Sequence, residues 1–258
     1  MEISVKLLPF ITTSLLVLTI IVTFCLSLSK KHVVGSLPYI SDTGTKTPES
    51  CIFGQALNIL WVLLSFAVYV KYRQVKDILN RYNMDNKKLL NRTAMQIGLG
   101  AAFGISIVAN FQETNLFYIH WCGTILALGL GAVYQCMQTV LYKNLMRILG
   151  QRKITSLRMV LSVISVATFM TLLICAVIAY QQKKNENYLH WPEGDGGFVF
   201  HNVSVMFAWI CTASTTLYVT LFYWEFKKIT LYEPDVFVKD KITIDLNMAR
   251  TNEGFQDA

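Results

Sequence analysis

Six apolar runs, at residues 7–28, 52–70, 93–111, 117–142, 159–180 and 203–224, leave this chain few ways to fold. Each comes close to or exceeds the ~20 residues that a helix rising 1.5 Å per residue needs to cross a ~30 Å hydrocarbon core. Inside lipid the backbone must satisfy its own hydrogen bonds, which makes helices the expected form. The fold class is therefore all-α, a polytopic membrane protein with six transmembrane helices. An apolar content of 53% agrees with that class and disagrees with an ordinary soluble domain. A cleaved signal peptide is the rival reading of the first run. That run is longer than the usual ~7–15-residue h-region, so it reads as a retained span.

Charge fixes the expected orientation. Of the 23 Lys and Arg residues, 18 fall at the N-terminus, in residues 71–92 and 143–158, and in the tail, against 5 in the three opposite loops. The positive-inside rule then places both the N- and C-termini in the cytosol. The net charge of +7 is a topological signal and does not call for nucleic acid; the bilayer is the expected partner. Residues 71–92 and 143–158 read as solvated basic loops, and Lys71 as the interfacial border of the second span. Residues 1–231 form the transmembrane domain in this reading, and residues 232–258 a polar cytosolic tail, expected to be disordered.

The non-cytosolic loops carry most of the distinctive chemistry. Between Pro38 and Gly54 lies Pro-Tyr-Ile-Ser-Asp-Thr-Gly-Thr-Lys-Thr-Pro-Glu. Asp42-Thr43-Gly44 is a turn signal, with Asp42 bonding its own backbone and Gly44 free to take a positive φ. Thr47, Pro48 and Glu49 read as a helix start, with Thr47 as N-cap, Pro48 at the first position and Glu49 at the positive end of the dipole. The motif Pro38, Tyr39, Ser41, Asp42, Thr43, Gly44, Pro48 and Glu49 is thus either a shaped lumenal loop or a well-capped connector. All four histidines also fall on this side. His120, His190 and His201 are candidates for a pH-responsive face, since histidine titrates near 6.5; four incidental interface histidines are the other reading.

Within the spans, small residues recur at spacing four. Gly100 and Gly104 on the third run, and Gly123, Ala127 and Gly131 on the fourth, are expected to let two backbones pack closely. The short link 112–116 makes these runs an antiparallel hairpin. Six cysteines show no disulfide-framework spacing and no Cys-x-x-Cys metal pattern. Buried free thiols are the expectation, with a Cys51–Cys122 bridge as the lesser alternative. No acidic or basic residue falls mid-run, which disfavours an ion pump or proton-coupled transporter. No metal, cofactor or local hydrolase motif is expected. A lipid hydrolase assembled in space from Asp42, Glu49, His120, His190 and His201 stays open as the alternative.

Pro38 to Gly54, Ser106-Ile-Val-Ala-Asn-Phe-Gln-Glu-Thr114, Gln138-Thr139 and Leu189-His-Trp-Pro-Glu193 together resemble the damage-regulated autophagy modulator (DRAM) family. The likeness covers residues 1 to about 231. It implies a six-span protein of the lysosomal or endosomal membrane that promotes autophagy and influences cell death, with no catalytic residues and no cofactor. Its partners would be membrane or autophagy proteins. The wider group also includes factors that mature the lipid of glycosylphosphatidylinositol anchors, so the resemblance keeps a lipid-remodelling or lipid-moving role on the lumenal side as the alternative.

Overall fold

The computed structural model describes residues 2–33, 37–149, 152–184, 189 and 191–232. His190 and the expected tail at 233–258 lie outside the described residues. Six helical segments are long and apolar enough to span a membrane. They are α1 (Leu8–Ser29), α2 (Glu49–Arg81), α3 (Lys88–Asn110), a fourth span built from α4 (Phe117–Thr124) and α5 (Gly131–Leu149), α6 (Arg152–Gln182) and α7 (Phe198–Thr220). A one-turn α8 (Tyr223–Phe226) follows α7. These belong to one compact unit, Val5–Ile229. In a separate unit, β1 (Glu2–Ser4) pairs antiparallel with β2 (Thr230–Tyr232), with Ile3 opposite Leu231.

The spans form a closed ring. Packing runs from α1 to α2, α3, the fourth span, α6 and α7, and back to α1. Outward faces are apolar: Leu18, Val163, Met206 and Leu217 are each more than half exposed, as lipid-facing residues must be. In α1 the hydroxyls are the buried face. Thr12, Thr13, Thr19 and Thr23 turn inward and bond carbonyls on the preceding turn, so each of these four buried hydroxyls is paired.

The glycine crossing forms at the expected place. A Cβ on Gly104 would lie 2.4 Å from the Ala127 backbone nitrogen and 2.8 Å from the Gly123 carbonyl oxygen. One on Gly123 would meet Ile107 at 2.7 Å, and one on Gly100 would meet Leu130 at 3.0 Å. Gly131 has nothing within 4 Å and takes no part. Between α4 and α5 the helix widens to a π turn at Ile125–Leu130, where α3 presses closest. On its other side α3 meets α2 through Asn58, Ser106 and Asn110, whose side chains bond one another at 3.0–3.3 Å.

The basic loops are shorter than the apolar pattern suggests. α2 continues past Val70 to Arg81, burying Val75 and Leu79, and the link to α3 is a tight turn with Asn83 at φ 52°. α6 likewise begins at Arg152 and carries Arg158 into the protein, wholly buried. The solvated-loop reading of residues 71–92 and 143–158 is therefore corrected. Helical periodicity persists through the charges, and apolar residues four apart still face the core. Thiol burial also differs from expectation: Cys25, Cys51 and Cys122 are exposed on the outer surface, all six are free, and only Cys211 is fully buried.

Candidate functional site

At one end of the ring the 37–48 loop folds inward over the bundle. Ser41–Gly44 is a 3₁₀ turn, and Asp42 Oδ2 accepts the Tyr39 backbone N–H at 3.0 Å. Asp42 thus reaches back along the chain, where forward bonding was expected. Gly44 does not have a positive φ. Its glycine is required by packing instead, since a Cβ there would lie 2.3 Å from the Phe53 ring. The helix start also differs: α2 begins at Glu49 with Pro48 in the cap position and no side-chain cap, so Thr47 is not the N-cap. Glu49 is buried, and its Oε1 lies 2.9 Å from His32 Nδ1, which joins the start of α2 to the segment that follows α1.

The loop is pinned to two helices. Thr43 Oγ1 and Thr23 Oγ1 lie 2.9 Å apart, joining it to α1. Trp209 Nε1 donates to the Pro38 carbonyl at 2.9 Å, and the Tyr39 hydroxyl bonds Ser204, joining it to α7. Beneath it sits Glu113, from the link between α3 and α4. Its carboxylate accepts the Tyr180 hydroxyl of α6 at 2.6 Å and the Ser41 hydroxyl at 3.3 Å. Burial, and then the nearby Glu113 charge, hold the Asp42 carboxyl well above the usual carboxylate range. Burial also raises the Tyr39 phenol, which stays neutral.

His201 is buried under the loop, its ring stacked 4.2 Å from Trp191 and edge-on to Tyr39 at 5.2 Å. His120 is buried too, with Nδ1 2.7 Å from the Phe111 carbonyl oxygen. Neither presents a free imidazole to solvent, and His190 lies outside the described residues. The structure brings Tyr39, Ser41 and Asp42 together with Glu113, Tyr180, Ser204 and His201. It keeps Glu49 apart with His32, and leaves Pro48 exposed. Tyr180 and Ser204 carried no sequence signal, because each sits in an apolar run and acquires its role only from the fold.

A second polar cluster lies at the opposite end. Lys71 of α2 and Arg158 of α6 both contact the Glu225 carboxylate of α8, and all three are wholly or almost wholly buried. The Tyr142 ring lies 4.1 Å from Lys71 Nζ and 4.0 Å from the Arg158 guanidinium. The border reading of Lys71 is thus overturned, and charge does lie within the membrane-length helices. Between the two ends, Gln135 donates to Thr215 and accepts from Ser165, both at 3.0 Å. Thr139 bonds Ser162 and Tyr218, and together these contacts tie α5, α6 and α7.

A ring of six membrane-length helices, closed at one end by an inward-folded loop over Glu113 and at the other by a buried ion cluster, defines a polytopic membrane protein. The model of the Frag1/DRAM/Sfk1/Cwh43P N-terminal domain matches residues 4–229, and the chain belongs to that family. It is similar to DNA damage-regulated autophagy modulator protein 2 of Rattus norvegicus, 33% identical over 83% of this chain and 80% of the relative. The Homo sapiens protein of that name is 32% identical over 87% and 86%. DNA damage-regulated autophagy modulator protein 1 of Homo sapiens is 31% identical over 86% and 91%. No solved structure matches the chain.

Proposed function

We propose that this protein is a non-enzymatic modulator of autophagy in the lysosomal or endosomal membrane, with an influence on cell death. The observation that carries the reading is its likeness, along most of both chains, to proteins named as autophagy modulators. Both termini face the cytosol in this reading, and the 37–48 loop faces the organelle interior. Partners are the bilayer and membrane or autophagy proteins that meet the loop face. The polar groups there support a structural role: Ser204 donates to the His201 carbonyl at 2.7 Å, and Glu113 is held by Tyr180 and Ser41. The raised Asp42 carboxyl suits an acidic lumen, where its neutral form needs no counter-charge. The pH response moves in this reading from the histidines to the acid pair.

The test is a tagged copy expressed in cells that lack the endogenous protein, with organelle markers and autophagic flux read together. Localisation to lysosomes or endosomes, with flux reduced on deletion and restored by both the wild-type chain and Glu49→Gln, is the expected result. Residence elsewhere, or unchanged flux on deletion, overturns the proposal.

A further inference from the structure

A small pocket lies at the loop end between the fourth span and α6, and Tyr39, Ser41, Glu113, His120 and Thr124 form its polar wall. Following each proton shows what that wall has left to give. Ser41 donates its hydroxyl proton to Glu113 Oε2 at 3.3 Å, and Thr124 donates its own to the His120 carbonyl at 3.1 Å. Ser204 donates to the His201 carbonyl, so the proton between Tyr39 and Ser204 comes from Tyr39. The Phe111 carbonyl can only accept, so His120 Nδ1 carries a proton and Nε2 of the neutral ring is a bare acceptor. All of these donors are spent, and the wall has only acceptors left.

Two of the acceptors need a partner. Glu113 is 5% exposed and is held by neutral hydroxyls, with no Lys, Arg or His within ion-pair distance among the described residues. Its charge reaches Lys183 at longer range, where Asp195 pulls harder. His120 is 3% exposed; its Nε2 has no partner in the protein and, unlike Nδ1 of His201, is not sealed from the space that the residue lines. A buried carboxylate without a counter-charge and an open imidazole nitrogen on the same wall both call for donors from outside the chain.

The kind of donor is restricted. No three His, Cys, Asp or Glu side chains come together as metal ligands among the described residues, so a metal ion fits poorly. A hydroxyl brings one proton and no charge. A primary ammonium brings the charge and three N–H groups, one each for Glu113, His120 Nε2 and the Thr124 oxygen. Trp121, half-buried on the same wall, adds the aromatic surface that cations favour. The rest of the wall is apolar and includes Ile125 of the fourth span with Phe169 and Leu173 of α6; Ile125 is 39% exposed on the outer surface, so the pocket is entered from the lipid side.

We propose that this pocket binds the primary ammonium group of a membrane lipid, with Glu113 as its counter-charge and His120 Nε2 and Thr124 as hydrogen-bond acceptors. An ethanolamine phospholipid and a sphingoid base share that group. The inference goes beyond the modulator reading and does not depend on which organelle holds the protein.

The test offers the full chain, purified in detergent, photoactivatable phosphatidylethanolamine, sphingosine, phosphatidylcholine and phosphatidylglycerol. The expected result is labelling by phosphatidylethanolamine or sphingosine, mapped to residues 121–125 or 169–176, the stronger of the two identifying the source of the amine. Phosphatidylcholine has methyls where the N–H protons were, and should label about tenfold more weakly, since it loses the bonds to a charged acceptor. Glu113→Gln removes the charge at nearly constant shape and should weaken amine labelling about tenfold. Thr124→Val removes one acceptor, should weaken it about threefold, and serves if Glu113→Gln fails to elute as a single species. Labelling by neither amine overturns the site. So does equal labelling by phosphatidylcholine or phosphatidylglycerol, displacement of the amine probes by equimolar free ethanolamine, or amine labelling that persists undiminished in the folded variants.

Discussion

Glu225→Gln is the sharpest perturbation this structure offers. The wild-type cluster holds two cations and one anion out of reach of water, with both cations on the same carboxylate. Removing one member of a buried pair typically costs 3–5 kcal/mol, because the other charge is left uncompensated. Glu225 ends two such pairs, so its loss leaves two like charges beside one aromatic ring, and the expected cost is about 5 kcal/mol. The Tyr142 contacts involve neither Glu225 oxygen, are kept in both the wild type and Glu225→Gln, and cancel from the difference. Lys71→Met does the reverse: it removes one charge and leaves Arg158 and Glu225 balanced, at a cost of about 1 kcal/mol in lost cation–π contact. Glu225→Gln should therefore be less stable than Lys71→Met by about 4 kcal/mol, roughly a thousandfold in the folding equilibrium. Unfolding in mixed micelles of rising SDS fraction, followed by tryptophan fluorescence, measures the difference. Equal stability of the two variants, or a less stable Lys71→Met, would refute the view that charge balance and not mere contact holds this end together.

Two further outcomes follow from the geometry. Gly104→Ala places a methyl 2.4 Å from backbone, so it should lower the midpoint of thermal unfolding markedly, and Gly131→Ala should not, because nothing lies within 4 Å of its Cβ; similar midpoints would show that the α3 crossing has slack. The raised Asp42 carboxyl means that the folded state holds more protons than the unfolded one between the usual carboxylate value and its own. Its contribution is then fully present at low pH and lost as pH rises through that window, by up to about 1.4 kcal/mol per pH unit. The wild type should accordingly gain stability from pH 7 to pH 5 relative to Asp42→Asn in the same micelles, and parallel pH profiles of the two proteins would contradict it.

The six spans were legible because lipid imposes a length and a composition on every crossing helix, and the sequence obeys both. The Gly104, Gly123 and Ala127 crossing was legible for the same reason: spacing four is a local property of one helix. What escaped was non-local. Lys71, Arg158 and Glu225 each sit just outside an apolar run and look like a border; only the fold brings them within contact of one another. Val75 and Leu79 were a usable clue, since with Val68 and Lys71 they continue one face of α2 beyond its apolar stretch. At Gly44 the residue was rightly singled out and the reason was wrong. A turn glycine and a close-packed glycine read alike until the neighbouring Phe53 ring is in view.

The clusters at the two ends also account for the space between them. α5, α6 and α7 are tied by the Gln135 and Thr139 contacts, and α2 and α3 by Asn58 and Asn110. These bonds define two groups of helices, which also pack directly on one another where α3 crosses the fourth span at Gly104. At one end Glu113, between α3 and α4, is held by Tyr180 of α6 and by Ser41 of the loop leading to α2. At the other, Lys71 of α2 reaches Glu225, which is shared with Arg158 of α6. Each polar cluster therefore bridges the same two blocks. Apolar walls alone would draw together wherever lipid could repack around them, since nothing but contact favours one spacing over another. Directional bonds at both ends join the glycine crossing of α3 and the fourth span in setting the spacing, and a buried ion cluster that is a weak source of stability becomes an effective strut.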